Sequence, residues 1–164
     1  YAVLDLGTGS GCLLLSFLSE RPNARGLGVD ASAAALEIAN KNAQNLGLSG
    51  RARFVLGDWA EGQTGPFDLV LCNPPYVGES EVLAPDVRDH EPAVALFAGP
   101  DGMDDYVRIV PQLPGILAPG AAAIIEAGRG QALGIARLCA AQGLEVIGIR
   151  DDLGGIARSV AVRR

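Results

Sequence analysis

The stretch "YAVLDLGTGSGC", residues 1–12, decides the fold. Its apolar first half is typical of a buried strand, and three glycines in a G-x-G-x-G spacing follow it. Glycines at such a point let the chain turn sharply and let a ligand approach the main chain. The apolar run "GCLLLSFLSER" then predicts a helix, so the chain opens with a strand, a glycine loop and a helix, as open α/β sheets that bind nucleotides do.

Segments of strand and helix length alternate along the rest of the chain. Such alternation predicts a Rossmann-like α/β fold in one domain over residues 1–164, with seven strands, mostly parallel, and helices on both faces. The link "DDLGGI" is too short for a parallel crossover, so we expect the last strand to run antiparallel. We predict strands at 1–7, 24–30, 52–58, 67–73, 120–128, 144–150 and 157–163, and helices at 11–21, 32–47, 103–117 and 130–143.

The second helix carries clear signals at both ends. Ser32 precedes its first residue and is expected to cap it, while Gly47 follows its last apolar position. We therefore expect this helix to end close to residue 47.

Composition and charge narrow the classes of function. The net charge is −6, and residues 79–105 are rich in acidic side chains, with Arg88 the basic residue among them. A negative field repels phosphates, so direct binding to nucleic acid is disfavoured. No apolar run approaches the roughly 20 residues of a membrane span, and no signal peptide is evident, so we expect no membrane partner.

The three cysteines, Cys12, Cys72 and Cys139, are scattered along the chain. They form no metal-binding spacing, so we expect no metal site and no disulfide framework. They are expected to be small buried hydrophobic residues of a cytoplasmic protein. The chain begins at Tyr1 within a strand pattern, so we expect it to be the C-terminal catalytic domain of a longer protein.

The polar residues at the ends of the first three strands predict a binding site. Asp5 precedes the glycines and can hold a ligand ammonium group, Asp30 ends the second strand where an acid accepts from ribose hydroxyls, and "GDW" ends the third. Asp58 can accept from an adenine amino group, and Trp59 can cover the ring. S-adenosylmethionine has these parts and no pyrophosphate. The contacts predicted from these residues are Asp5, Gly7, Gly9, Gly11, Asp30, Asp58 and Trp59.

The sequence "NPPY", residues 73–76, follows the fourth strand. Pro74 and Pro75 cannot continue the ladder, and the residue before a proline is held extended, so Asn73 is displayed in one geometry. Asn73 Oδ1 and the Pro74 carbonyl can each accept one proton of a planar N–H₂ group, and Tyr76 can pack on the group that carries it. The motif therefore predicts a clamp that aims the nitrogen lone pair at a methyl donor. His90 is expected to have no catalytic role.

At this point the chain resembles the class I methyltransferases, and more closely the release factor glutamine methyltransferases. The resemblance is carried by "DLGTGSGC", "VDASAAALEIANKNA", "GDW", "FDLVLCNPPYV", "EPAVALFAGPDGMDDY", "IIEAGRGQ" and "DLGGIARSV". It implies methyl transfer from S-adenosylmethionine, which leaves S-adenosylhomocysteine, to the glutamine of the Gly-Gly-Gln motif of peptide-chain release factors. It also implies that the cofactor site is lined by Gly7, Thr8, Gly9, Ser10, Gly11, Asp30, Trp59 and Asn73. By the same match, Asn73, Pro74, Pro75 and Tyr76 would hold that glutamine.

The chain departs from the family pattern in three respects. The helical N-terminal domain usual in the family is not present, and Ala127 and Ala157 stand where the family more often has other residues. We expect both alanines to lie outside the pocket. Three other functions stay open: glutamine methylation of a large-subunit ribosomal protein, methylation of an adenine or guanine amino group, and cofactor binding without catalysis. An intact Asn73 beside the glycine loop argues against the last.

Overall fold

The computed structural model describes residues 1–79 and 95–164 of the chain. The strands found there are β1 (Ala2–Leu6), β2 (Arg25–Asp30), β3 (Ala52–Leu56), β4 (Phe67–Cys72), β5 (Leu117–Glu126), β6 (Glu145–Asp151) and β7 (Ala157–Arg163). The helices found there are α1 (Cys12–Glu20), α2 (Ala33–Asn45), α3 (Asp104–Ile109), a 3₁₀ turn (Val110–Gln112), α4 (Leu113–Ile116) and α5 (Ala132–Ala141).

The strands of these two ranges form one seven-stranded sheet in the order β3-β2-β1-β4-β5-β7-β6. β1 pairs in parallel with β2 on one side and β4 on the other, and β4 pairs in parallel with β5. β7 runs antiparallel to both β5 and β6. The predicted Rossmann-like class I fold and its antiparallel last strand are therefore confirmed.

Helices cover the sheet on both faces, and each face has its own apolar core. On one face Val3 and Leu69 pack with Leu14 and Leu18 of α1. On the other, a larger cluster joins alternate residues of the strands to the buried Tyr106, Ile109 and Ile135 of α3 and α5. Both layers follow from strands that are apolar on both sides, as buried parallel strands require.

The signals at the ends of α2 are confirmed. The Ser32 hydroxyl accepts a hydrogen bond from the Ala35 N–H at 3.2 Å. Gly47 has φ of 68°, a left-handed conformation that glycine adopts without a steric cost. The helix itself ends at Asn45.

The predicted helix over 103–117 is wrong in its continuity. The segment is α3, a 3₁₀ turn and the one-turn α4, because Pro111 and Pro114 lack the N–H groups that an unbroken helix needs. β5 then begins at Leu117 rather than at residue 120, and its register with β4 shifts between Phe67 and Leu69. Cys12 is also exposed rather than buried, since it opens α1 at the surface.

Two further findings concern the whole of the described chain. No helix within residues 1–79 and 95–164 is long and apolar enough to cross a membrane. The same residues contain no group of three or more histidine, cysteine or acidic side chains that could hold a metal ion. His90, Arg88 and much of the acidic stretch 79–105 lie outside the described residues.

Candidate active site

The four strands β3, β2, β1 and β4 are neighbours and parallel, so their carboxyl ends meet at one edge of the sheet. Leu6, the last residue of β1, is paired with Val29 of β2 and with Cys72 of β4. The glycine loop, Asp30, the 57–59 turn and Asn73 therefore lie along the same edge, as the sequence predicts. This edge is where open α/β sheets bind their ligands.

The glycine loop folds back onto the end of β2. The N–H groups of Gly7 and Thr8 both donate to the Val29 carbonyl, at 2.9 and 3.0 Å. At Gly9, φ is 55° and no atom lies within 4 Å of the place where a Cβ would stand. The loop thus presents bare main chain to open space, which is the geometry that a ligand lying along the backbone requires.

Asp5 lies beneath this loop with 1 % of its surface exposed. Its Oδ2 accepts a hydrogen bond from the Thr8 hydroxyl at 2.6 Å, whereas its Oδ1 has no hydrogen-bond partner among the described residues. Burial raises the pKa of this carboxyl from 3.8 to about 6. A buried acceptor without a donor is costly, so the Oδ1 atom is a place where a donor on a ligand would be stabilised.

Asp30 has a second role that the sequence did not indicate. Its Oδ2 accepts from the Gly9 N–H at 2.7 Å and its Oδ1 from the Ser32 N–H at 2.8 Å. The carboxylate therefore ties the glycine loop to the start of α2. Each oxygen still has lone-pair capacity for a further donor, so binding a ribose hydroxyl is compatible with these bonds.

The 57–59 turn is held by α3, which the sequence analysis did not connect with it. Asp58 forms an ion pair with Arg108, and Arg108 also lies 3.5 Å from the Asp105 carboxylate. The φ of Trp59 is 49°, which bulky residues rarely adopt. Burial raises the pKa of Asp105, with Arg108 acting in the opposite direction.

The corner at residues 73–76 touches the glycine loop. A Cβ added to Gly7 would lie 3.1 Å from the Trp59 ring and 3.8 Å from the Asn73 carbonyl oxygen, so loop, ring and corner converge on one glycine. Pro74 is buried, whereas the Asn73 side chain is exposed. Its amide makes no hydrogen bond to another described residue, so it is available to an incoming group.

Tyr76 is held by residues that the sequence analysis did not single out. Its hydroxyl donates to the Glu126 carboxylate, and the Arg158 guanidinium lies 5.9 Å from the centroid of its ring. Arg158 is in turn paired with Asp152 at 3.2 Å and donates to the Ala127 carbonyl at 3.3 Å. Burial raises the pKa of Glu126.

These contacts bear on the two alanines at which the chain departs from the family pattern. The Ala127 carbonyl accepts from Arg158, the residue whose guanidinium lies 5.9 Å from the centroid of the Tyr76 ring. Ala157 precedes Arg158 at the start of β7. The side chain of each alanine is a methyl group with no hydrogen-bonding atom, so only their main-chain groups can form hydrogen bonds.

A family profile for a methyltransferase domain matches residues 1–129 of this chain. The chain belongs to the methyltransferase domain family. The release factor glutamine methyltransferase of Rhodospirillum rubrum is 45 % identical over 164 residues, covering 99 % of this chain and 50 % of that protein. The protein of the same name from Bradyrhizobium diazoefficiens is 46 % identical over 165 residues, covering 99 % of this chain and 56 % of that protein. The resemblance inferred from the motifs is thereby confirmed.

This methyltransferase domain spans about half the length of the curated relatives it matches. Among solved structures, a methyltransferase from Pyrococcus furiosus superposes with a TM-score of 0.74 at 18 % identity, covering 99 % of this chain and 74 % of that one. At that identity the likeness concerns the fold, which is the one described above.

The buried Asp5 generates a prediction about stability and pH. Because its pKa is higher in the folded state, about 6 against 3.8, the folded protein binds more protons than the unfolded chain between these values. Its contribution to the free energy of unfolding therefore falls as pH rises from 4 to 6, by about 2–3 kcal/mol. Asp5→Asn should remove this fall, as measured by urea unfolding at several pH values.

Asp152→Asn is the matched control. Main-chain N–H groups, that of Ile156 foremost, lower the pKa of Asp152, so it titrates below this window. The control should keep the wild-type dependence on pH between 4 and 6. An Asp5→Asn protein that loses stability over this range as steeply as the wild type would contradict the assignment.

Proposed function

We propose that this domain transfers a methyl group from S-adenosylmethionine to the side-chain amide nitrogen of the glutamine in the Gly-Gly-Gln motif of peptide-chain release factors. The observation that carries the proposal is the contact between the Asn73–Tyr76 corner and the glycine loop through Gly7. A methyl donor on the loop and an amide at the corner would be neighbours. The names of the relatives from Rhodospirillum rubrum and Bradyrhizobium diazoefficiens support this acceptor.

The residues at the sheet edge fit S-adenosylmethionine, which would supply an activated methyl group on its sulfonium. The unpartnered Oδ1 of Asp5 suits the ammonium group of the methionine part, directly or through water. The bare main chain at Gly9 suits a ligand lying across the loop, with Thr8, Ser10 and Gly11 completing it. A bound ammonium would stabilise the charged form of Asp5 and so lower its pKa.

The remaining cofactor contacts lie on either side of the loop. Asp30 would accept from the ribose hydroxyls, with lone pairs that its bonds to Gly9 and Ser32 leave over. Asp58 would accept from the adenine amino group while paired with Arg108, and Trp59 would cover the ring. Since Arg108 already shares the Asp58 carboxylate, the turn is ordered before the ligand arrives.

On the acceptor side, the protein would act by orienting the amide nitrogen toward the methyl group. An amide nitrogen is a weak nucleophile because its lone pair is delocalised. Asn73 Oδ1 and the Pro74 carbonyl would each accept one N–H of the glutamine amide, which fixes the plane of the group, and Tyr76 would pack against it. Correct placement of two reactants can account for about 7–11 kcal/mol of a barrier. Transfer breaks the bond between the methyl group and the sulfonium sulfur, which leaves S-adenosylhomocysteine, and forms a bond from the methyl carbon to the amide nitrogen. The nitrogen then carries a positive charge and releases one proton to water, so the scheme uses no side chain as a general base.

The acceptor distinguishes this proposal from its alternatives. The acidic stretch 79–105 and the net charge of −6 disfavour nucleic acid as the acceptor, because phosphates would be repelled. A release factor is a protein of the cytoplasm, so the proposal includes a cytoplasmic location. A ribosomal protein glutamine would use the same corner, and the assay below separates the two.

A labelled-methyl assay tests the acceptor. With S-adenosylmethionine carrying a tritiated methyl group, the protein should label a release factor at its Gly-Gly-Gln glutamine, since that amide fits the clamp at Asn73. A release factor with this glutamine replaced by alanine is the matched control and should take no label. Ribosomal proteins, transfer RNA and DNA are tested in parallel. Label on nucleic acid or ribosomal protein, with none on the release factor, would replace the proposal by the corresponding alternative.

Substitution of Asn73 tests the clamp. Asn73→Ala leaves one amide proton without its acceptor and lets the nitrogen turn away from the methyl group. Misplacement by about 1 Å can cost ~10²-fold in rate, so kcat should fall at least that far. Asn73→Asp retains an acceptor oxygen and should keep more activity than alanine.

Asn23→Ala, an exposed asparagine that precedes β2 at the opposite end of that strand, is the control and should leave kcat unchanged. Calorimetry should show that Asn73→Ala weakens cofactor binding far less than it lowers turnover. Methylation by Asn73→Ala at the wild-type rate would mean that the corner is only a turn.

A further inference from the structure

Gln131, which immediately precedes α5, joins three segments of the chain through its side-chain amide. Its Nε2 donates to the Tyr76 carbonyl at 2.9 Å, to the Asp101 carbonyl at 3.1 Å and to the Gly102 carbonyl at 3.3 Å. Its Oε1 accepts from the Gly128 N–H at 2.9 Å. One half-buried side chain thus connects the end of the Asn-Pro-Pro-Tyr corner, the 101–102 turn and the turn after β5.

The chain that leads into the 101–102 turn is also hydrogen-bonded to the residues that follow the corner. Val77 donates to the Leu96 carbonyl at 2.8 Å and accepts from the Ala98 N–H at 3.0 Å. The Glu79 N–H donates to the Gly99 carbonyl at 3.1 Å. Residues 96–99 therefore lie beside the chain that leaves the corner, and they belong to the stretch "EPAVALFAGPDGMDDY" that carries part of the family resemblance.

The main chain at Gly102 lies very close to the Tyr76 carbonyl oxygen. A Cβ on Gly102 would lie 2.1 Å from the Tyr76 carbonyl oxygen, the same atom that accepts from Gln131. A Cβ on Gly128 would lie 2.4 Å from Gln131 Oε1 and 3.1 Å from the Tyr76 ring. Neither glycine therefore has room for a side chain, and the main chain, the Gln131 amide and the Tyr76 ring lie close together.

We infer that Gln131 is a positioning residue for methyl transfer: it fixes the main chain at Tyr76, and through it the acceptor oxygens of Asn73 and Pro74. The inference rests on the proposed function of the corner. Gln131 contacts the acceptor side of the site through Tyr76, while its side-chain hydrogen bonds to described residues reach neither the glycine loop nor the 57–59 turn. Its loss should therefore lower turnover and leave cofactor affinity nearly unchanged.

Gln112 makes the corresponding connection on the cofactor side. Its Oε1 accepts from the Ala60 N–H at 3.0 Å, directly after Trp59, and its Nε2 donates to the Arg108 carbonyl at 2.9 Å. Two glutamines with the same chemistry thus fix two different loops of one site. Their substitution should give opposite effects on cofactor affinity and turnover, which a general loss of stability would not do.

The experiment compares Gln131→Met, Gln131→Glu and Gln112→Met with the control Gln142→Met, an exposed position at the far end of α5. Gln131→Met removes all four hydrogen bonds at nearly constant length. Gln131→Glu keeps the acceptor for the Gly128 N–H and places a carboxylate against three carbonyl oxygens. Both Gln131 variants should lower kcat on a release factor about tenfold or more, with the cofactor Kd within about twofold. Gln112→Met should raise that Kd several-fold and spare kcat at saturating cofactor.

Amide hydrogen exchange provides a readout that does not depend on activity. In Gln131→Met the amides of Val77, Ala98 and Gly128 should exchange faster than in the wild type, while those of α2 should not change. Wild-type kcat or unchanged exchange in Gln131→Met would overturn the inference. Wild-type turnover by Gln131→Glu would also overturn it, because only the bond to Gly128 would then matter.

The exchange measurement also separates this inference from the proposed function. If the wild-type protein labels no release factor, the proposed function fails. Faster exchange at residues 77 and 98 in Gln131→Met would then still establish that Gln131 orders the corner. Unchanged exchange would overturn the inference about Gln131 as well as the proposed function. Equal losses of kcat, cofactor affinity and melting temperature in Gln131→Met would show a structural role alone and would overturn the positioning role.

Discussion

The parallel pairing of β1 with both β2 and β4 is the constraint on which the site depends. Because parallel neighbours end at the same edge, this pairing brings the glycine loop, Asp30 and Asn73 together without any contact between their side chains being needed first. Gly7 then closes the arrangement, since a Cβ there would press on the Trp59 ring at 3.1 Å. The strand order places the two halves of the proposed site next to each other. Because Gly7 has no side chain, the two halves can approach closely.

Two energetically unfavourable features, a buried carboxylate and a strained backbone conformation, lie at this edge of the sheet. Asp5 is a buried carboxylate with one oxygen unpartnered and a pKa raised to about 6, and Trp59 has a φ of 49°. Each lowers the stability of the protein without its ligand, and each would be favoured by a ligand that donates to Asp5 or stacks on the indole. The proposed acceptor corner is built differently, since its main chain is closely packed and bonded through Gln131. The cofactor side thus carries an unpartnered carboxylate oxygen and a strained backbone, which the described acceptor corner does not show.

The sequence predicted the features that are local or periodic. Strand positions, the Ser32 cap and the antiparallel β7 follow from residue patterns, and the motif residues lie at one edge because parallel topology requires it. The prediction failed where one signal overrode another, as at Pro111 and Pro114, whose missing N–H groups break an apolar helical pattern. Arg108 and Gln131 could not be found from the sequence, because their partners are distant along the chain. Asp30 was assigned to a ligand alone, because its bond to Gly9 arises only once the loop is folded.

The most direct test of the account is a crystal structure of the protein with S-adenosylhomocysteine and a peptide containing Gly-Gly-Gln. The account predicts the glutamine amide nitrogen at hydrogen-bond distance, about 2.7–3.2 Å, from both Asn73 Oδ1 and the Pro74 carbonyl. It also predicts the sulfur of the cofactor product in line with that nitrogen, on the side of the glycine loop. A glutamine bound elsewhere, or one whose amide contacts neither of these two oxygens, would contradict the claim that this corner orients the nucleophile.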